Sequence, residues 1–126
     1  MRYLALDVGD RRIGVAVGDD AFGLARPLRT IVRRNLKADL EMVREQIAKE
    51  EADALVIGLP LTLRGDRGPQ AERVMRFAEA CAPLGVPVEL YDERYTTAEA
   101  RRQGAADVDA GAATILLEDF LSRRRR

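Results

Sequence analysis

The chain has 126 residues, 47% hydrophobic and 33% charged, with 21 basic residues balanced by 21 acidic ones. These are the proportions of one globular domain over 1–126; they exclude wholesale disorder and a uniformly basic nucleic-acid coat, though not a local basic patch. There is no histidine and a single cysteine, Cys81, which excludes Ser-His-Asp and Cys-His catalysis, histidine zinc helices, intramolecular disulfides and iron–sulfur sites.

Tyr3 to Val8 is short and mostly apolar, as a strand requires, and Gly9 to Arg12 supplies a turn before a second apolar run, Ile13 to Val17. Two runs this close form an antiparallel hairpin, because a parallel pair needs a long crossover. A third extended segment covers about Leu24 to Val32, and Pro27 within it places it at a sheet edge. The period then changes: Leu36, Leu40, Val43 and Ile47 share one face of a helix of about 15 residues, capped by Asn35.

Ala54 to Leu59 has the apolar run of a buried strand. Pro60 to Pro69 is rich in turn formers and reads as a mobile loop carrying Arg64 and Arg67. Pro69 suits the first turn of the helix that follows, whose apolar stripe is Val74, Phe77, Ala78 and Cys81, with Arg76 facing elsewhere. Cys81 on that stripe is packing rather than chemistry. Val86 to Tyr91 is the last strand. Thr96 and Glu99 have capping-box spacing for a short helix, Asp109 to about Ser122 forms another, and Arg123 to Arg126 is a frayed basic tail.

The order β-β-β-α-β-α-β-α-α predicts an α/β fold. An antiparallel meander is followed by two strands entered through right-handed helical crossovers, giving a mixed five-stranded sheet with helices on both faces. No run of 18 or more apolar residues is present, and the N-terminus reads as a strand rather than a signal peptide, so a cytoplasmic protein is expected.

Three acidic positions stand out. Asp7 interrupts an apolar strand near its C-terminal end, where burial of a charge demands a cation, a hydrogen bond or a proton. An Asx turn closing the hairpin is the plain alternative. Asp92 and Glu93 follow the last strand, where ligands of open α/β sheets sit; spacing alone does not choose between them, and a solvated loop paired with Arg94 is the alternative. Asp109 opens the last helix in register with Ala112, Ala113, Leu116 and Phe120, so it shares the face turned to the sheet. A carboxylate complementing the helix dipole explains an acid there, but not its register. Carboxylates converging from a first strand, a last strand and a last helix make an oxygen-lined site for Mg²⁺ or Mn²⁺, one ion or two, able to hydrolyse a phosphodiester without histidine or cysteine.

Four stretches together resemble one family. They are Leu-Asp-Val-Gly-Asp-Arg-Arg-Ile-Gly-Val-Ala-Val-Gly at 6–18, Ile-Gly-Leu-Pro-Leu at 57–61 with Gly65, Ala71 and Arg76-Phe77-Ala78, Asp-Glu-Arg-Tyr-Thr-Thr at 92–97 with Glu99 and Ala100, and Val-Asp-Ala-Gly-Ala-Ala-Thr-Ile-Leu-Leu-Glu at 108–118. They cover nearly the whole chain, in order, and resemble the YqgF or RuvX family. The resemblance implies an RNase H-like fold related to Holliday-junction resolvases and a nuclease activity tied to maturation of the 5′ end of pre-16S ribosomal RNA. It further implies that Asp7, Glu93 and Asp109 form the metal-binding triad, selecting Glu93 over Asp92 and leaving Asp107 outside.

Arg11 and Arg12 in the first turn, Arg64 and Arg67 in the loop, and Arg76 and Arg94 in family motifs are the candidate phosphate contacts. For each, a solvated charge or a structural ion pair is the competing explanation. With 5% aromatics and no tryptophan a base-stacking platform is not expected; Tyr95 is the exception beside the site. The expected partner is nucleic acid, either structured or single-stranded RNA or branched DNA, and a junction resolvase would act as a homodimer. Two other functions compete. An ATP-binding enzyme of the actin and sugar-kinase type shares an Asp-x-Gly hairpin but clamps nucleotide between two such domains. A non-catalytic ribosome-assembly or nucleic-acid-binding factor gains nothing from carboxylates beside phosphate.

Overall fold

The computed structural model describes residues 1–93 and 110–124. Five strands form one sheet in the order β3-β2-β1-β4-β5. They are β1 (Arg2–Val8), β2 (Arg12–Asp19), β3 (Leu24–Val32), β4 (Ala54–Leu59) and β5 (Val88–Asp92). β1 to β3 are antiparallel neighbours, whereas β1–β4 and β4–β5 are parallel, so the expected mixed sheet is the observed one. β3 is an edge, as Pro27 requires. Beside that proline the ladder shifts, with Arg29 opposite Val15 but Pro27 opposite Ala16; a bulge and a proline both blunt an exposed edge.

The central strand β1 is buried on both faces, and its alternation sorts the core into two layers. Leu4, Leu6 and Val8 pack with Val43, Ile47, Val74, Phe77 and Cys81 of helices α1 (Leu36–Glu50) and α2 (Pro69–Ala80) and the turn after α2. Tyr3 and Ala5 pack on the opposite side with Ala113, Leu117, Phe120 and Leu121 of helix α3 (Ala110–Arg124). Helices therefore cover both faces. On the α3 side β2 presents Gly14, Ala16 and Gly18, and this lack of bulk brings α3 close to the sheet.

Several sequence expectations shift. Asn35 caps α1 by accepting from the Ala38 N–H at 2.8 Å, but the buried face of α1 is turned toward Asp39 and Gln46, and Leu36 is exposed. Asp39 tolerates burial because it accepts from Arg33 Nε and the Arg34 N–H, both at 3.0 Å. The fifth strand begins at Val88, not Val86: a 3₁₀ turn (Ala82–Leu84) and Gly85 at φ 93° carry the chain to Pro87, which has no N–H to donate to a ladder. The loop before α2 is a hydrogen-bonded turn, with Thr62 N–H to the Asp66 carbonyl at 3.0 Å and Asp66 N–H to Thr62 Oγ1 at 3.0 Å.

The tail also differs from expectation. Arg123 and Arg124 continue α3 rather than fraying: Arg123 pairs with Asp119 at 3.1 Å, and Arg124 pairs with Glu89 at 3.3 Å and lies over the rings of Tyr3 and Phe120. Arg125, Arg126 and the short helix expected around Thr96 and Glu99 lie outside the described residues. Among the described residues no helix is long and apolar enough to cross a membrane.

Candidate active site

The three helices among the described residues begin at the same end of the sheet, the end where β1, β3, β4 and β5 finish. Asp7 stands there, next to last in β1, with its side chain on the α3 side by alternation from Tyr3 and Ala5. It is fully buried. Its β2 neighbour is Gly14, and the β1–β4 register, with Leu6 opposite Ile57, brings Gly58 to its other side. Asp7 is thus flanked on both sides in the sheet by residues with no side chain of their own.

Glu93 reaches the same face of the sheet from the end of β5. Its backbone N–H donates to the Leu59 carbonyl at 3.3 Å, extending the β5 ladder by one residue. Alternation from Tyr91 turns its side chain toward α3, and it too is fully buried, whereas Asp92 is exposed. The pair that spacing could not separate is separated by strand parity. A Cβ built on Gly58 would lie 2.6 Å from Glu93 Oε2 and 2.9 Å from Leu116 Cδ2, so the Glu93 carboxylate occupies the place of the missing side chain. Among the described residues no third acidic, histidine or cysteine side chain joins them; Asp109 lies outside the described residues, as do Asp107, Arg94 and Tyr95.

The start of α3 is fixed from a distance. The Ala110 N–H, one of the orphan donors of a helix N-terminus, donates to Thr30 Oγ1 on β3 at 3.1 Å. Thr30 lies opposite Gly14, so Thr30, Gly14 and Asp7 form one row across the sheet. Sequence reasoning missed this residue, because its partner is eighty positions away. The other end of α3 is held by Tyr91, whose hydroxyl donates to Asp119 Oδ2 at 2.5 Å. Burial and that carboxylate both push the Tyr91 phenol well above its ordinary value.

The candidate basic residues divide into two groups. Arg11 and Arg12 are exposed on the β1–β2 turn, which is closed by the Gly9 N–H to the Arg12 carbonyl at 2.8 Å and braced by Arg33 Nη1 on the Gly9 carbonyl at 2.9 Å. Arg64 and Arg67 are exposed on the loop after β4, at the same end of the sheet. Arg76 is elsewhere: it lines an open groove of about 340 Å³ with Arg33, Leu36, Arg73 and Phe77. That groove lies between α1 and α2, on the face of the sheet away from Asp7 and Glu93. Its other cations are engaged, Arg33 with Asp39 and Arg73 with Asp10.

A family model described as RuvX, Holliday junction resolvase, matches residues 1–123. The chain belongs to the RuvX family. Among curated relatives of this RuvX chain, a Moorella thermoacetica protein is 45% identical over 127 residues, spanning all of this chain and 82% of the relative. One from Chloroflexus aurantiacus is 43% identical over 133 residues, spanning 97% of this chain and 87% of the relative. Both carry the provisional name pre-16S rRNA nuclease. Among solved structures, Thermus thermophilus RuvC in complex with a Holliday junction substrate superposes with a TM-score of 0.61 at 17% identity, over 99% of this chain and 96% of that one. The RuvX chain therefore has the RNase H-like architecture that its motifs imply.

Proposed function

We propose that this RuvX chain is a divalent-metal-dependent nuclease that hydrolyses phosphodiester bonds in RNA, in the maturation of the 5′ end of pre-16S ribosomal RNA. One observation carries the reading: two fully buried carboxylates, Asp7 and Glu93, lie on the same face of the sheet at the carboxyl ends of β1 and β5, with Gly58 of the intervening strand β4 leaving room for Glu93 between them. Acids are rarely placed side by side in a dry site for stability alone, since like charges oppose each other's ionisation. The donor set is all oxygen, which suits Mg²⁺ or Mn²⁺. Asp7 and Glu93, with Asp109 preceding α3, are the residues that would hold one or two such ions. A bound ion of this kind lowers the pKa of a water and screens the charge that develops on phosphate oxygens.

The chain's own contribution is placement. β1 and the β5 extension present the carboxylates from a rigid sheet, and Thr30 fixes the start of the helix that follows Asp109. Arg11, Arg12, Arg64, Arg67 and Arg94 are the proposed phosphate contacts around the site; Arg76, in the groove on the opposite face of the sheet, is not among them. The names of the curated relatives support RNA as substrate. The family description supports branched DNA as the second reading, in which a homodimer would cut two strands symmetrically. Either activity would belong to the cytoplasm.

The test is cleavage of a labelled pre-16S 5′ leader fragment, single-stranded RNA and a four-way DNA junction. Wild type, Asp7→Asn and Asp109→Asn are compared in Mg²⁺, Mn²⁺ or EDTA. Metal-dependent cleavage of the leader that both variants lose is the expected result, and preferential cleavage of the junction would select the second reading. A folded wild type that cuts none of the three would refute the nuclease assignment in favour of a binding or assembly factor.

A further inference from the structure

We infer that Gly58 is a positioning residue for Glu93: the missing side chain at position 58 is the seat of the Glu93 carboxylate, and it sets where that carboxylate stands beside Asp7. The inference rests on the reading of Glu93 as a metal-binding carboxylate and adds to it a residue with no chemistry of its own.

Glycine is a poor choice for the interior of a strand. It loses more backbone freedom on folding than any other residue and adds nothing to packing, so its presence marks a bulge or a close approach. Gly58 is not at a bulge, since the β4–β5 register runs without a shift from Leu55 to Leu59. Its backbone does not demand glycine either: the glycines with positive φ are Gly23, Gly65 and Gly85. What remains is space. A Cβ at 58 would meet Glu93 Oε2 at 2.6 Å, Glu93 Cδ at 3.0 Å and Leu116 Cδ2 at 2.9 Å. The first and last of these distances are shorter than real Cβ contacts allow.

A flexible side-chain end on an open surface would swing aside, but Glu93 has little room to do so. It is fully buried, its backbone is tied to Leu59, and Leu116, the other neighbour of the same point, is fully buried as well. A methyl at 58 therefore displaces the carboxylate along the sheet or lifts α3. Its first effect falls on the position of one donor atom, and oxygen donors to small divalent ions tolerate only a few tenths of an ångström of error.

The experiment is a double-mutant cycle on the full chain with Gly58→Ala, Glu93→Ala and the double variant. Thermal melts are recorded with and without Mg²⁺, and cleavage by wild type and Gly58→Ala is titrated against Mg²⁺. Gly58→Ala should lose most of the metal-induced rise in Tm. It should also raise the Mg²⁺ concentration for half-maximal cleavage by about tenfold or more, with KM for nucleic acid unchanged at saturating metal, a split that general loosening of the fold would not produce. In the Glu93→Ala background the same methyl should leave the metal response unaltered and lower the metal-free Tm by less than it does alone.

A Gly58→Ala protein with wild-type metal response, or metal-free losses of Tm that simply add, would overturn the inference. If Gly58→Ala does not fold, the double variant decides: recovery of folding supports the seat, and failure assigns the conflict to Leu116 and overturns it. If wild type itself gains no stability from Mg²⁺, the metal reading of the site falls. The metal-free cycle still decides the seat, which non-additive losses support and additive losses overturn.

Discussion

Replacing Thr30 by valine removes one hydroxyl while keeping the branched shape that suits a strand. Its only described polar contact is the 3.1 Å bond from the Ala110 N–H. A lost N-terminal capping bond costs about 1 kcal/mol, with a range of roughly 0.5–2. Ala110 is half-buried, so water can reach part of the freed N–H and the low half of that range applies. For 126 residues the unfolding entropy is about 0.26 kcal/mol per degree, so Tm should fall by about 2–4 °C. That leaves the protein folded at 25 °C, and any change in kcat there reports placement rather than stability. Because α3 starts beside the row that contains Asp7, and displacement of about 1 Å can cost on the order of a hundredfold in rate, kcat should fall at least about tenfold. Thr30→Ser should restore both properties. Melting curves and single-turnover cleavage at saturating Mg²⁺ are the assays. A loss of Tm in that range with unchanged kcat would show that Thr30 steadies the helix without aligning the site; an unchanged Tm would show that the bond contributes nothing.

Two further predictions probe the framework away from the carboxylates. Gly18→Ala would set a Cβ 2.6 Å from the Leu24 carbonyl oxygen and 3.2 Å from Ala25 Cα, both backbone atoms that cannot rotate away. Overpacking of this kind costs about 1–3 kcal/mol. Tm should fall by about 4–12 °C with kcat at 25 °C unaltered, since Gly18 is at the opposite end of the sheet from Asp7; a large loss of kcat would contradict the separation of the two ends. Cys81 is fully buried, and burial pushes its thiol up from 9.0 to about 12. A thiol with a raised pKa in the fold favours folding fully below about pH 9, and that contribution is lost as pH rises toward 12, because the unfolded chain gives up the proton first. Denaturant titrations of wild type and Cys81→Ala at pH 8 and pH 10 should show the steeper alkaline loss in wild type, and a thiol reagent should label Cys81 only on unfolding; rapid labelling of native protein would contradict its burial.

Much of this architecture was legible in the residues because local chemistry and burial agree. Pro27 marked an edge, Asn35 a cap, Pro69 a helix start, and Ala54 to Leu59 a buried strand. Where the sequence misled, a neighbour outside the local pattern had intervened. Leu36 fits the helical period yet faces out, because Arg33 and Arg34 draw Asp39 inward. Arg123 and Arg124 look like a free tail but find Asp119, Glu89 and two aromatic rings. At the site, Asp7 was conspicuous as a charge in an apolar strand, and Glu93 was chosen over Asp92 only by family resemblance until strand parity set them apart. Thr30 and Gly58 carried no local signal: a threonine in a strand and a glycine beside a loop are ordinary until a helix from much later in the chain is laid over them.

The position of α3 has a consequence for the order of assembly. β1 is made first, yet one of its faces, with Tyr3, Ala5 and Asp7, waits for a helix that begins more than a hundred residues later. Contacts of such long sequence separation form late, after loop closure over most of the chain. During synthesis the meander and the α1–α2 side can pair and bury themselves while the α3 side stays wet and its carboxylates remain solvated and apart. A nascent chain of this design should carry no competent nuclease centre until it has been made through α3, so cutting activity would be withheld from every incomplete copy.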